Sequence, residues 1–269
     1  MILSAIITHY KTPELLALCI NSIKKTAENI PYEIIVVDSE TSKKNEEFIL
    51  SKFPDINFIG FKDNVGYAKL VNAGIKKANG RYVLILNSDI ILHENSVQKL
   101  INYLEKNPQV AVVAPQLLDF TNHIQVSCFA DPELGAIIAR RTFLGKLKWG
   151  REKLKKFAIS EWDRKSEREV DWVQGSAMLV KKDLIDKIGL LDERFFMYFE
   201  DTDWCRRFRE NGYKVVYLPD AQMSHYYHRA SKKMGSILDI LFNKYTRIHI
   251  QSSLKYFSKW KQHEKENQQ

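Results

Sequence analysis

Over the first 115 residues, short runs of aliphatic and β-branched side chains alternate with longer stretches whose apolar positions recur at helical spacing. Residues 2–8, 33–38, 57–61, 81–86 and 110–114 have the length and composition of buried strands. Helical segments lie between them, and a strand–helix–strand series of this kind predicts a mostly parallel sheet covered by helices on its faces. Thr12 stands at a helix N-cap position with Pro13 at the first helical residue, and Ala78-Asn79-Gly80 reads as the stop of the third helix. From residue 116 to 168 the periodicity fades, which predicts loops and short helices. Regularity then returns, with a strand over 176–181, helices over 183–188 and 203–211, and strands over 213–218 and 221–226. No internal repeat or low-complexity tract interrupts the pattern.

Composition narrows this little. The 269 residues are 45% hydrophobic and 28% charged, the balance of a globular chain able to bury a full core. Three cysteines without paired spacing predict neither disulfides nor a zinc site, and therefore a reducing compartment. No apolar run approaches the ~18 residues of a membrane span, and the first residues lack the charged leader of a signal peptide, so a cytoplasmic location is expected.

Charge adds more. The net charge is +8, yet residues 140–168 carry +7 and residues 232–265 carry +6, which leaves −5 for everything else. Two basic segments on an acidic remainder predict contact with an anionic surface or an anionic acceptor. In the second segment Ile237, Leu241, Tyr245 and Ile248, then Ile250, Leu254 and Phe257, recur at helical spacing. An amphipathic tail over 232–269 is therefore predicted, lying on an anionic membrane, packed on the domain 1–231, or pairing two copies.

In open parallel sheets ligands bind beyond the carboxyl ends of the strands. Those positions are polar here: Thr8-His9-Tyr10, Asp38-Ser39, Asp63-Asn64-Val65-Gly66-Tyr67 and Asn87-Ser88-Asp89. Neither a GxGxxG fingerprint after the first strand nor a GxxxxGK[ST] loop occurs, so the usual dinucleotide and P-loop readings fail.

The blocks Ile7-Thr8-His9-Tyr10-Lys11, Ile35 to Ser39, Asn64 to Ala68 with Asn72-Ala73-Gly74, Leu84 to Asp89, Gln174 to Leu179, Leu191 to Asp203 and Ser224-His225 follow one another over residues 1–228. In this order they resemble a family 2 glycosyltransferase of the GT-A fold. The long block ending Phe199-Glu200-Asp201-Thr202-Asp203 is most similar to the bacterial rhamnosyltransferase and galactofuranosyltransferase branch.

The resemblance implies a nucleotide-binding half over 1–115 and an acceptor-side half over 116–231. It further implies an inverting transfer, rhamnose favoured, from a dTDP- or UDP-linked donor with Mg²⁺ or Mn²⁺. Asp89 falls on the metal-ligating carboxylate of the family's DXD turn, and His225 on a histidine that completes the metal shell. Asn87 replaces the first carboxylate, so it supplies an amide but no charge. Thr8, Tyr10, Asp38, Asn64, Gly66 and Ser88 fall on the donor side; Gln174, Gly175, Ser176 and Asp203 fall on the acceptor side. Asp201 matches the base that deprotonates the acceptor hydroxyl, with Glu200 beside it. The implied acceptor is a lipid-linked oligosaccharide or a polysaccharide, met at the inner face of the cell membrane.

Two other readings compete. A sugar-phosphate nucleotidyltransferase needs a glycine-rich loop after its first strand, where this chain has His9-Tyr10-Lys11-Thr12-Pro13. A basic nucleic-acid-binding module would use the +7 segment, but no RNA- or DNA-binding motif accompanies it and no nucleic acid is expected.

Overall fold

A computed structural model of the chain describes residues 1–226 and 243–266. The elements run β1 (Leu3–His9), α1 (Pro13–Thr26), β2 (Tyr32–Ser39), α2 (Lys43–Lys52), β3 (Asn57–Phe61), α3 (Tyr67–Ile75), β4 (Tyr82–Asn87), β5 (Ile90–Leu92), α4 (Ser96–Lys106) and β6 (Val110–Leu118). They continue with β7 (Cys128–Phe129), α5 (Leu134–Arg141), a 3-10 turn (Phe143–Lys146), α6 (Lys148–Phe157), β8 (Arg168–Glu169), β9 (Trp172–Val173), β10 (Ala177–Lys181), α7 (Lys182–Ile188), α8 (Glu200–Glu210), β11 (Lys214–His225) and α9 (Lys244–Glu266).

The central sheet has the order β3-β2-β1-β4-β10-β6-β11-β5, with β8 paired to β11. Strands β3, β2, β1 and β4 are parallel, β10 runs antiparallel between β4 and β6, and β11 returns parallel to β6. This is the predicted mostly parallel α/β sheet, with its two faces buried separately. One face packs Ile7, Leu84, Val113 and Leu179 under α1 and α4, and the other packs Ile6, Ile85, Val112 and Met178 under α3, α7 and α8. Alternate residues of one strand thus feed opposite cores, which is why the strands read as unbroken apolar runs.

Three local expectations are corrected. The two strands expected over 213–218 and 221–226 are one, β11 (Lys214–His225): Pro219 sits in a register shift between Leu218 and Gln222, where its missing N–H breaks no ladder bond. Gly80 is not a helix stop, since α3 ends at Ile75; a Cβ at Gly80 would overlap the backbone of Ser4 on β1. Helix α8 begins at Glu200 rather than at residue 203, which brings Glu200 and Asp201 into its first turn.

The tail is helical over Lys244–Glu266, but its packed face differs from the predicted stripe. Thr246, His249, Ser253, Tyr256 and Trp260 are buried, while Leu254 is 61% exposed; Ile237 and Leu241 lie outside the described residues. The aromatic pair Tyr256 and Trp260 packs with Ile137, Phe195 and Phe199 in a small third core. Lys259 Nζ reaches Asp192 Oδ2 at 3.0 Å and Asp203 Oδ1 at 2.7 Å, and Trp260 Nε1 donates to Asp203 Oδ1 at 3.0 Å. Helix α9 therefore packs on the body formed by the sheet and its helices. Among the described residues no helix is long and apolar enough to cross a membrane.

Candidate active site

A cleft of about 270 Å³ opens at the carboxyl ends of β1 and β4, where the strand order places the polar turns side by side. Thr8, Tyr10, Asn64, Gly66, Asn87, Ser88 and Asp89, all expected on the donor side or at the metal, line it. Its floor is tied together: Ser88 N–H donates to Thr8 O at 3.0 Å, Asn87 N–H to Ser176 O at 2.9 Å, and Thr8 Oγ1 to Asn87 Oδ1 at 3.2 Å. Thr12 occupies the N-cap of α1 as predicted, yet its hydroxyl faces Ser88 Oγ at 3.3 Å instead of capping the helix.

Asp38 does not line this cleft. It is 1% exposed and accepts from His9 Nδ1 at 2.7 Å, while His9 Nε2 accepts the Thr12 N–H at 3.0 Å. These bonds fix one tautomer of His9 and place Asp38 behind it; the residue of β2 that lines the cleft is Ser39. The sequence names His9 only within the turn after the first strand and gives it no role of its own; it gives none in the cleft to Met197, Tyr226 and Tyr245, which close it from three distant segments. Only the fold brings those segments together.

Gly66 has a reason other than ligand approach. Its φ is +83°, and a Cβ there would overlap the carbonyl oxygen of Phe196. The adjacent Tyr67 N–H donates to that carbonyl at 2.8 Å, so the loop before α3 is laced to the loop before α8. In the second loop Tyr198 and Phe199 have φ of +69° and +70°, a left-handed conformation that costs about 1–3 kcal/mol each for such side chains. The strained pair turns the chain into α8, which starts at Glu200 and brings Asp201 against Gly175 in the loop before β10.

Both acids are buried. Asp201 Oδ2 accepts from Gly175 N–H at 3.0 Å and Oδ1 from Thr202 N–H at 2.8 Å, whereas Glu200 Oε2 has no hydrogen-bond partner. Burial, followed by the charge of Asp201, pushes Glu200 well above the usual carboxylate range. Burial also raises Asp201, and the backbone donors oppose it. The two backbone donors thus favour charge on Asp201 over charge on Glu200. Tyr67 OH bonds Gly175 O at 2.5 Å, and burial together with Glu200, Asp201 and Asp89 pushes its own ionisation far up, so it stays a neutral donor.

The antiparallel pairing of β11 with β5 sets His225 opposite Ile90, next to Asp89. Gln125 Nε2 donates to His225 O at 3.1 Å, so its Oε1, 2.9 Å from His225 Nδ1, accepts the hydrogen of that nitrogen. Nε2 then presents a lone pair towards Asp89 Oδ1 at 3.5 Å, an oxygen that is buried and without a hydrogen bond. Two acceptors facing each other fit a cation between them. Among the described residues no group of three or more His, Cys, Asp or Glu converges, so these two side chains would leave the remaining ligand positions to substrate oxygens and water.

Gln174 and His225 line a second groove of about 770 Å³ on the other side of Tyr226. Gly175 bridges Tyr67 and Asp201, and Ser176 lends its carbonyl to Asn87. Asp203, expected on the acceptor side, instead faces away: it is fully buried and binds Arg207, Lys259 and Trp260. Its acidity serves the attachment of α9.

Comparison with known proteins agrees with this architecture. The family model described as Glycosyl transferase family 2 matches residues 4–123, and that described as Glycosyl transferase family group 2 matches residues 82–262. The N-acetylglucosaminyl-diphospho-decaprenol L-rhamnosyltransferase of Mycobacterium tuberculosis is 25% identical over 209 residues, covering 73% of this chain and 67% of that protein. Rhamnosyltransferase WbbL of Escherichia coli is 26% identical over 249 residues, covering 88% of each chain. The crystal structure of GalNAc-T7 with UDP, GalNAc and Mn²⁺ superposes with a TM-score of 0.64 at 14% identity, covering 85% of this chain and 44% of that one, so the GT-A fold is shared. The chain belongs to the family 2 glycosyltransferases, near their rhamnosyltransferase branch.

Proposed function

We propose that this protein transfers a sugar, with rhamnose the favoured candidate, from a dTDP- or UDP-linked donor to a lipid-linked or polysaccharide acceptor in cell-surface glycan synthesis. The observation that carries this reading is the buried Asp89 Oδ1 facing His225 Nε2 at the edge of the polar cleft. Two relatives named as rhamnosyltransferases, one of them for a diphospho-decaprenol acceptor, support the sugar and the acceptor class. The solved neighbour with UDP and Mn²⁺ supports a nucleotide and a divalent ion.

Asp89 and His225 would hold Mg²⁺ or Mn²⁺, which supplies charge neutralisation for the departing diphosphate. Thr8, Tyr10, Asn64, Gly66, Asn87 and Ser88 bind the donor in the cleft, and Asp38 contributes by fixing His9. Asp201 takes the proton of the acceptor hydroxyl as that oxygen attacks the anomeric carbon. Glu200, keeping its own proton, leaves Asp201 as the anion and has an O–H to offer the acceptor. Gln174, Gly175 and Ser176 border the acceptor side. Work at the inner face of the membrane follows from the acceptor class.

With one base and no second carboxylate free to act as nucleophile, the displacement is single and inverts the anomeric centre. The test is proton NMR of the first product formed from a panel of dTDP- and UDP-sugars with Mn²⁺. The expected product has the anomeric configuration opposite to its donor; a retained configuration would refute the single displacement.

A further inference from the structure

We propose that the helical hairpin α5–α6, rather than the tail, is the surface by which this protein docks on an anionic lipid bilayer. The proposal rests on the reading that the acceptor is met at a membrane. The hairpin exposes five large apolar side chains within sixteen residues: Leu134 54%, Ile138 40%, Phe143 63%, Leu147 50% and Trp149 48%. Isolated exposed apolar residues are ordinary, but a cluster of this density on two short helices and their connecting turn is not.

The hairpin is folded against itself before any partner arrives. A Cβ at Gly135 would meet the Trp149 ring at 3.1 Å, so that ring lies beside the turn of α5 that carries Leu134 and Ile138. Ile137, on the inner side, is buried with Phe195, Tyr256 and Trp260, and Lys153 and Lys156 both pair with Glu133. The apolar residues that remain outside are not spare core.

Charge selects the occupant. Residues 134–157 carry eight Lys and Arg against one Glu, net +7, and Lys146, Lys148, Arg151 and Lys155 are exposed on the same hairpin. A second copy of this chain would bring the same positive surface and be repelled. An anionic bilayer offers both the apolar layer for Phe143, Leu147 and Trp149 and the headgroup charge for the lysines. Position agrees with this: Arg140 of α5 and Leu154 of α6 line the 770 Å³ groove that ends at Gln174 and His225. A bilayer held by the hairpin would therefore lie at the mouth of the acceptor-side groove.

The test is co-sedimentation of the full chain with vesicles of phosphatidylcholine alone and of phosphatidylcholine with 30% phosphatidylglycerol (about the anionic content of a charged leaflet). Wild type is expected to bind the anionic vesicles at least about fivefold more tightly and to be released by about 0.5 M salt. The double variant Phe143→Ser/Leu147→Ser and the variant Lys146→Glu/Lys148→Glu should each lose about fivefold or more, whereas Lys261→Glu/Lys265→Glu on the exposed side of α9 should bind as wild type does. All altered positions are exposed, and unchanged thermal midpoints will show that the variants fold. Full binding by the hairpin variants, or equal loss in the α9 variant, would overturn the proposal. So would a wild-type dimer that ignores vesicles and that Phe143→Ser/Leu147→Ser converts to monomer. Transfer to a water-soluble acceptor should survive in every variant; its absence in wild type would count against the proposed function and not against the docking surface.

Discussion

Asp201 and Glu200 are neighbours in sequence with different surroundings, and the difference supports the separate roles proposed for them. Two backbone N–H groups support the Asp201 anion, and Glu200 Oε2 has no donor at all. Asp201→Asn should leave donor binding nearly intact and reduce transfer by about 100- to 10,000-fold, measured by single-turnover assay. Near-normal turnover would move the base to another group. Glu200 carries a pH consequence as well. Its folded form holds the proton more tightly than an unfolded glutamate does, so above the ordinary glutamate range the folded chain binds more protons and stability falls as pH rises. Glu200→Gln removes that titration. The thermal midpoint of the ligand-free variant should drop less than that of wild type between about pH 5 and pH 8, and an identical slope in both would show that Glu200 ionises normally. At this scale the sequence singles out Asp89, His225 and the acidic pair as candidates, because each lies inside a recognisable block. It could not reveal that Asp38 is spent on His9, or that Asp203 points at Lys259, since both depend on which neighbour a distant segment supplies.

Helix α9 shows how far element-level periodicity carries. The helix itself was legible from its spacing, but the packed face was assigned to the most apolar positions, whereas the structure buries Thr246, His249, Ser253, Tyr256 and Trp260. Two polar groups on this face have partners in the body of the protein: Ser252 Oγ donates to Met197 O at 2.8 Å, and Trp260 Nε1 donates to Asp203. The pattern likewise predicts two strands, 213–218 and 221–226, where the structure has one, as a bulge is invisible until its partner strand is known. Lys259 is the strap of α9. Although burial alone would raise Asp192, Arg194 and Lys259 hold its carboxyl below the usual range. Lys259→Met should therefore lower stability by about 1.5–3 kcal/mol, read from the urea midpoint. It should also weaken donor binding, because Tyr245 at the start of α9 lines the cleft. A variant as stable as wild type would mean that aromatic packing alone holds the helix.

For the whole molecule, alternation of strands and helices sufficed to predict a mostly parallel sheet, and the polar residues after each strand sufficed to locate a cleft at its carboxyl edge. The insertion of β10 antiparallel between β4 and β6 was not predictable from pattern, yet it is what sets Gly175 and Ser176 against the Asn87-Ser88-Asp89 turn. The two basic segments read from sequence part ways: the described part of the second, residues 243–265, lies on a packed helix, whereas the first supplies most of the α5–α6 hairpin. The central claim is that the cleft binds a nucleotide diphospho-sugar through a divalent ion held at Asp89. Isothermal titration of dTDP- and UDP-sugars into wild type and Asp89→Ala, each with Mn²⁺ and with chelator, tests it most directly. Wild-type affinity should rise by at least about tenfold with Mn²⁺ while that of Asp89→Ala stays at the chelated value; an equal metal-dependent gain in both proteins would contradict the account.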